Sequence, residues 1–163
     1  MTSLASVAFL SGDEQLEYIG DFVFNGCINL MSFNNGKFYG SYIGEYAFSR
    51  CQNLLKMSFD YSKLTTTASR KIQQGAFYGT SLNEIAIDNC PEAITSIELD
   101  KIKAAIGFDI ETNPNPLEVP EYCVIVLYNE AGTIVGKYDY LFNNLLGSTI
   151  DINRNSLIFA DKA

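Results

Sequence analysis

Three segments of this chain repeat one another, and a repeat of their length leaves few architectures open. Residues 19–30 (IGDFVFNGCINL), 43–54 (IGEYAFSRCQNL) and 72–82 (IQQGAFYGTSL) align, the third one residue shorter than the others. The shared positions are Ile19, Ile43 and Ile72, then Phe24, Phe48 and Phe77, then Leu30, Leu54 and Leu82, with the small Cys27, Cys51 and Thr80 between Phe and Leu. Downstream of each Leu comes a short alternating run ending at Phe33, Phe59 and Ile87, which is a strand signal. Ile19 and Ile43 are 24 residues apart and Ile43 and Ile72 are 29 apart, shorter than repeats built from two helices. Leu4, Val7 and Phe9 reproduce the strand phase before the first full unit, and the register survives to Ile97. Beyond it, Ile102, Ala105 and Phe108 fall at the offsets of Phe24, Cys27 and Leu30, so a last, degenerate turn is expected there.

The IGxxAFxxCxxLxxI pattern resembles the BspA-type leucine-rich repeats over about residues 4–108. Gln73 stands where that family has Gly, Val23 replaces its small Ala, Thr80 replaces its Cys, and the Pro after the strand is missing. The resemblance implies a β-rich repeat solenoid with short parallel strands. It also implies non-enzymatic binding, because such repeats occur in bacterial, protozoan and phage-borne surface and virion proteins.

Elementary packing leads to the same architecture. Each coil must turn two or three corners while stacking about 4.8 Å above the last. Gly20, Gly44 and Gly75 are expected at tight corners. Phe24, Phe48 and Phe77 are expected as one buried aromatic column. Cys27 and Cys51 become stacked neighbours, but four cysteines without a CxxC pair are too few for a disulfide scaffold, so all are expected as reduced, buried thiols.

Composition breaks at residues 111–120 (ETNPNPLEVP), which hold three of the four prolines and cannot continue a sheet interior. The expected division is a repeat unit over 1–110, a proline-rich linker over 111–120 and a small β-hairpin or α+β module over 121–163. Within that module, residues 122–128 (YCVIVLY) read as a strand apolar on both faces, 129–132 as a turn and 133–140 as the returning strand. A short helix over 140–146 and a second hairpin across 153–156 complete it. So small a segment buries little alone, so it should either cap the last coil near Ile94 to Phe108 or join chains. In the second case Tyr122, Val124, Val126 and Tyr128 are the candidate homo-oligomer interface.

The chain has no histidine, which removes Ser-His-Asp and Cys-His nucleophile systems and the commonest metal ligand. No phosphate-binding glycine loop, dinucleotide fingerprint or calcium-loop spacing occurs. No catalytic, cofactor-binding or metal-ligating residue is therefore assigned. A net charge of −8 with scattered Lys and Arg argues against nucleic acid. No stretch is long and apolar enough for membrane insertion, and the first ten residues lack the basic start of a signal peptide, so the chain reads as soluble and unexported.

Ten Tyr and eleven Phe exceed what an aliphatic coil needs. Tyr39, Tyr42, Tyr46 and Tyr78, in or beside the corners, are candidate partner-binding residues, unless they only pack edge to edge along the wall. The second candidate surface is a sheet lane of small side chains, Ala8, Asn34, Ser58 and Ala86, flat enough for a protein contact. Two functions are open: a module that binds a protein or a cell-surface receptor, or a structural or receptor-binding component of a larger assembly such as a phage fibre or tail.

Overall fold

The structure, a computed structural model, describes residues 3–7, 17–33, 38, 40–67, 69–139 and 144–146. Short strands alternate with tight turns. Strands β1 (Ser6–Val7) and β3 (Ser32–Phe33) pair in parallel, as do β2 (Tyr18–Ile19) and β4 (Tyr42–Ile43). A larger sheet holds β5 (Lys56–Asp60), β6 (Glu84–Cys90), β7 (Val124–Asn129), β8 (Ile134–Asp139) and β9 (Asn144–Leu146) in that order. Pairings β5–β6 and β6–β7 are parallel, and β7–β8 and β8–β9 are antiparallel.

Opposite the sheet, one unit is tied to the next by a regular backbone ladder. Phe22, Phe24 and Gly26 donate their N–H groups to the carbonyls of Glu45, Ala47 and Ser49 at 2.8 to 3.0 Å. Tyr46, Phe48 and Arg50 donate in turn to Gln74, Ala76 and Tyr78. Each turn therefore satisfies its polar backbone on its neighbour, as a half-buried turn must. The ladder has two left-handed corners per unit. Phe22 (φ 61°), Tyr46 (φ 54°) and Gly75 (φ 66°) form one line, and Gly26 (φ 81°), Arg50 (φ 63°) and Gly79 (φ 73°) the other. Gly20 and Gly44 are absent from both left-handed lines, but Gly44 opens a tight turn as expected, its carbonyl accepting from the Ala47 N–H at 3.3 Å. Gly44 also serves close approach, since a Cβ there would lie 2.5 Å from the Asp21 backbone nitrogen and 2.6 Å from the Gly20 carbonyl carbon.

Between sheet and ladder lies the core. Phe24 stacks on Phe48 at 5.2 Å and Phe48 on Phe77 at 5.8 Å, with Phe33 and Phe59 edge-on against the column. Phe48 and Phe77 are fully buried, but Phe24, expected to be buried with them, is only half-buried. It stands at the end of the column, with a stacked ring on one side only among the described residues. Ile19, Ile43, Ile72, Leu30, Leu54, Leu82, Cys27 and Cys51 fill the rest.

The expected degenerate turn near Ile102 is instead an α-helix. After α1 (Tyr61–Leu64), helix α2 (Ser96–Ile106) opens with a capping box between Thr95 and Glu98 and closes on Gly107 at φ 76°. Ile102, Ala105 and Ile106 are its buried residues. Offsets of three and four residues suit a helix as well as a coil, and the Thr-Ser-Ile-Glu start decides for the helix. The helix still occupies a place in the stack, for its Ala105 carbonyl accepts from Lys71 and Ile72 at 2.7 and 3.1 Å.

Residues 111–120, expected as a linker, hydrogen-bond to the preceding unit: Gly75 donates to the Pro116 carbonyl at 2.9 Å and Phe77 to that of Leu117 at 3.1 Å. Glu118 repeats the left-handed corner at φ 56°. The chain then enters β7 beside β6, and Tyr138 of β8 is fully buried, edge-on to Phe108 at 5.8 Å. Residues 144–146, read in sequence as the end of a short helix, form β9. The expected second hairpin lies outside the described residues.

Candidate functional site

The second line of left-handed corners holds Gly at two of its three positions, but the first holds Phe22 and Tyr46 before Gly75. A bulky aromatic residue in that conformation is strained by about 1 to 2 kcal/mol. Neither ring recovers this by deep burial. Phe22 is 54% exposed and Tyr46 half-buried, stacked at 5.5 Å with 14° between the planes. Tyr78, 43% exposed, stands edge-on to Tyr46 at 6.3 Å. Gly75 is what makes this line possible, because a Cβ at that position would lie 2.7 Å from Tyr46 Cζ and 2.8 Å from Glu118 Oε2.

A second aromatic pair lies one corner away. Tyr18 and Tyr42 begin the paired strands β2 and β4 and stack at 4.5 Å with planes 2° apart, Tyr18 being 59% exposed. Parallel strand spacing forces this contact, since identical positions on neighbouring strands are about 4.8 Å apart.

Carboxylates occur at the same repeat offset. Asp21 and Glu45 immediately precede Phe22 and Tyr46, and Asp21 Oδ1 accepts from the Glu45 backbone N–H at 2.9 Å. Burial and then the neighbouring Tyr18, Asp21 and Glu45 raise the Tyr42 phenol above its ordinary pKa. The Glu118 carboxylate beside the Tyr46 hydroxyl raises that phenol too. The result is a ledge of three aromatic rings, Phe22, Tyr46 and Tyr78, edged by Asp21, Glu45 and Glu118, with the pair Tyr18 and Tyr42 also within reach of Asp21 and Glu45.

Of the other candidate surface, Ala8 and Asn34 lie outside the described residues, and the part that is described is closed. Ser58, Ala86 and Val126 lie abreast on β5, β6 and β7, and all three are buried rather than presented. Longer side chains around them cover the lane: Lys56 pairs with Glu84 at 3.4 Å, and the Tyr128 hydroxyl donates to Glu84 Oε2 at 3.0 Å. Burial, followed by this carboxylate, pushes the Tyr128 phenol up to about 12. Of the residues proposed from sequence as an oligomer interface, Val126 is buried, Val124 and Tyr128 are half-buried, and Tyr122 is 59% exposed.

Among the sequence candidates, then, the structure brings Tyr46 and Tyr78 together and stacks Tyr42 on Tyr18, and Tyr39 and Asn34 lie outside the described residues. Sequence reasoning missed Tyr18 and Phe22. The signal was available, because each shares the 24-residue offset of a nominated tyrosine, Tyr42 and Tyr46 respectively. Elsewhere an open depression of about 540 Å³ lies between residues 65–67 and the exposed side of α2, lined also by Ile97, Asp100 and Lys101. Among the described residues no group of three or more His, Cys, Asp or Glu is placed to hold a metal ion, and no helix is long and apolar enough to cross a membrane.

Comparison with known proteins matches residues 1–101 to the family model described as a BspA type leucine rich repeat region, in six copies. No curated protein and no solved structure matches the chain.

Proposed function

Because this chain belongs to the BspA-type leucine-rich repeat family, we propose that it is a non-enzymatic, solenoid-type protein-binding module whose contact surface is the aromatic ledge at the corners. Repeats of this family are generally non-enzymatic protein-interaction units, and stacked repeats offer an extended face rather than a closed pocket. The observation that carries the assignment to this face is the line Phe22, Tyr46 and Tyr78. Two of its rings occupy strained left-handed backbone and still stand at the surface. Strain retained where burial does not compensate it points to use, and large, stiff aromatic side chains give contact area at low entropy cost.

The test is a random peptide display selection against the folded chain, with each winner re-measured on a Phe22→Ala/Tyr78→Ala variant and on Tyr122→Ala. Peptides lost only on the double variant support this surface. Winners indifferent to it remove the assignment.

Adhesion and service as a fibre or tail component of a virion both employ such a module and differ in whether chains associate. The exposed Tyr122 at the entry to β7 favours contact between copies through the C-terminal strands, with half-buried Val124 and Tyr128 beside it. Light scattering at several concentrations decides: a symmetric oligomer abolished by Tyr122→Ala supports assembly, and a monomer throughout removes it.

A further inference from the structure

The chemistry of the ledge narrows its partner, once the ledge is taken as the contact surface. Resting on that reading, we propose that it receives an extended basic segment of a partner protein, with Arg or Lys side chains laid against Phe22 and Tyr78 on either side of Tyr46 and their charges shared with Asp21, Glu45 and Glu118.

Three observations converge. An acid and an aromatic residue recur as a pair on consecutive units, Asp21-Phe22 and Glu45-Tyr46, and the third carboxylate, Glu118, meets the Tyr46 ring over Gly75. A cation over an aromatic face is attracted by the ring quadrupole, and a guanidinium can stack on the ring while its edge donates to a carboxylate. The same face would repel an acidic segment and would gain nothing from charge with a neutral one.

The charge balance agrees. The chain carries a net charge of −8. Of the cations nearby, Lys63 is paired with Glu17 at 3.0 Å, and Arg70 donates to the Ile72 carbonyl at 2.7 Å, packs against Gly107 and also feels Glu45, one cation against three carboxylates. Arg50 stands at the Tyr78 end, where its backbone N–H donates to the Tyr78 carbonyl. The Asp21, Glu45 and Glu118 end is thus the acidic one.

Phe22 and Tyr46 share their facing sides in the stack, which leaves the exposed Phe22 and Tyr78 at its two ends to receive side chains of the segment.

The experiment uses an end-blocked decapeptide of alternating Arg and Ser, titrated into the full chain and followed by amide NMR. Shifts are expected at Asp21, Phe22, Glu45, Tyr46 and Tyr78. Affinity should fall roughly three- to fivefold in Phe22→Ala and again in Glu45→Gln, and should weaken as salt is raised. Unchanged circular dichroism of the variants confirms that each is folded, and Asp21 is left intact because it also holds the turn. Peptides of alternating Gln and Ser or Glu and Ser should not bind. If either binds as well as the Arg peptide, or if a neutral oligosaccharide takes the ledge while the Arg peptide does not, the basic-segment inference fails and the ledge as contact surface stands. If the Arg peptide shifts other residues and display-selected peptides also ignore the ledge, both readings fail.

Discussion

The Tyr46 ring occupies the space that a side chain at Gly75 would need: a Cβ there would lie 2.7 Å from Tyr46 Cζ, in a residue already at φ 66°. Stacked repeats carry equivalent positions one above another: Phe22 and Tyr46 stack at two of them, and at the third the Tyr46 ring and Glu118 leave room only for glycine. Gly75→Ala should therefore combine left-handed strain of about 1 to 2 kcal/mol with an overpacking cost of about 1 to 3 kcal/mol. Two other glycines separate these terms. Gly26 is at φ 81° with nothing within 4 Å of where a Cβ would stand, so Gly26→Ala should show the backbone cost alone. Gly44 has no left-handed backbone but closely approaches Asp21, so Gly44→Ala should show the collision alone. Urea unfolding of the three variants checks this, and equal losses at positions 26 and 75 would remove the overpacking account.

Phe48 is fully buried between Phe24 and Phe77. Phe48→Ala should cost about 3 to 5 kcal/mol through lost burial and a cavity. Phe22→Ala should cost about 1 kcal/mol or less, since that ring is more than half exposed and contributes mainly its stacking on Tyr46. Denaturation midpoints of the two variants give the comparison, and similar losses would mean that the assigned inward and outward positions are wrong.

All four cysteines are buried and free of disulfides. Burial, the largest cause in each case, pushes the thiols of Cys51, Cys90 and Cys123 up to about 12. In the unfolded chain they ionise near the ordinary value of about 8.5. Their folded pKa values are raised, so the stability tied to them is complete below that pH and lost as pH rises toward 12. Each group should contribute a slope of about 1.4 kcal/mol per pH unit in that window. Unfolding from about pH 7.5 to about pH 10.5 in reducing buffer should show the decline, and Cys51→Ala should make it shallower. Thiol titration should find four reactive groups after unfolding and slow reaction before it.

Strand β7 covers the edge of β6, and the turn ladder ends on Pro116 and Leu117. A chain ending at Asn113 would leave the β6 edge unpaired, together with the N–H groups of Gly75 and Phe77, and uncover Ile85 and Ile87. It should aggregate in light scattering where the full chain does not. A soluble, cooperative truncated chain would show that the C-terminal strands are dispensable to the repeats.

The sequence alone determined which positions face inward. A stack of similar units puts equivalent residues in the same environment, so Phe24, Phe48 and Phe77, or Ile19, Ile43 and Ile72, declare the core by recurring at one offset. It did not determine what forms where the pattern weakens. Ile102 and Ala105 satisfied the coil offsets, yet the Thr95 capping box made a helix, and Pro116 lies in a ladder rung although proline signalled a linker. At positions outside the recurring Ile, Phe and Leu, exposure was decided only by the tertiary structure. Ser58 read as presented and is buried, because whether a small side chain is reached by solvent depends on the length of its neighbours across the sheet, here Lys56, Glu84 and Tyr128. Phe22 drew no reading from the sequence and is presented, because its side-chain direction follows from a backbone dihedral that no single residue type announces.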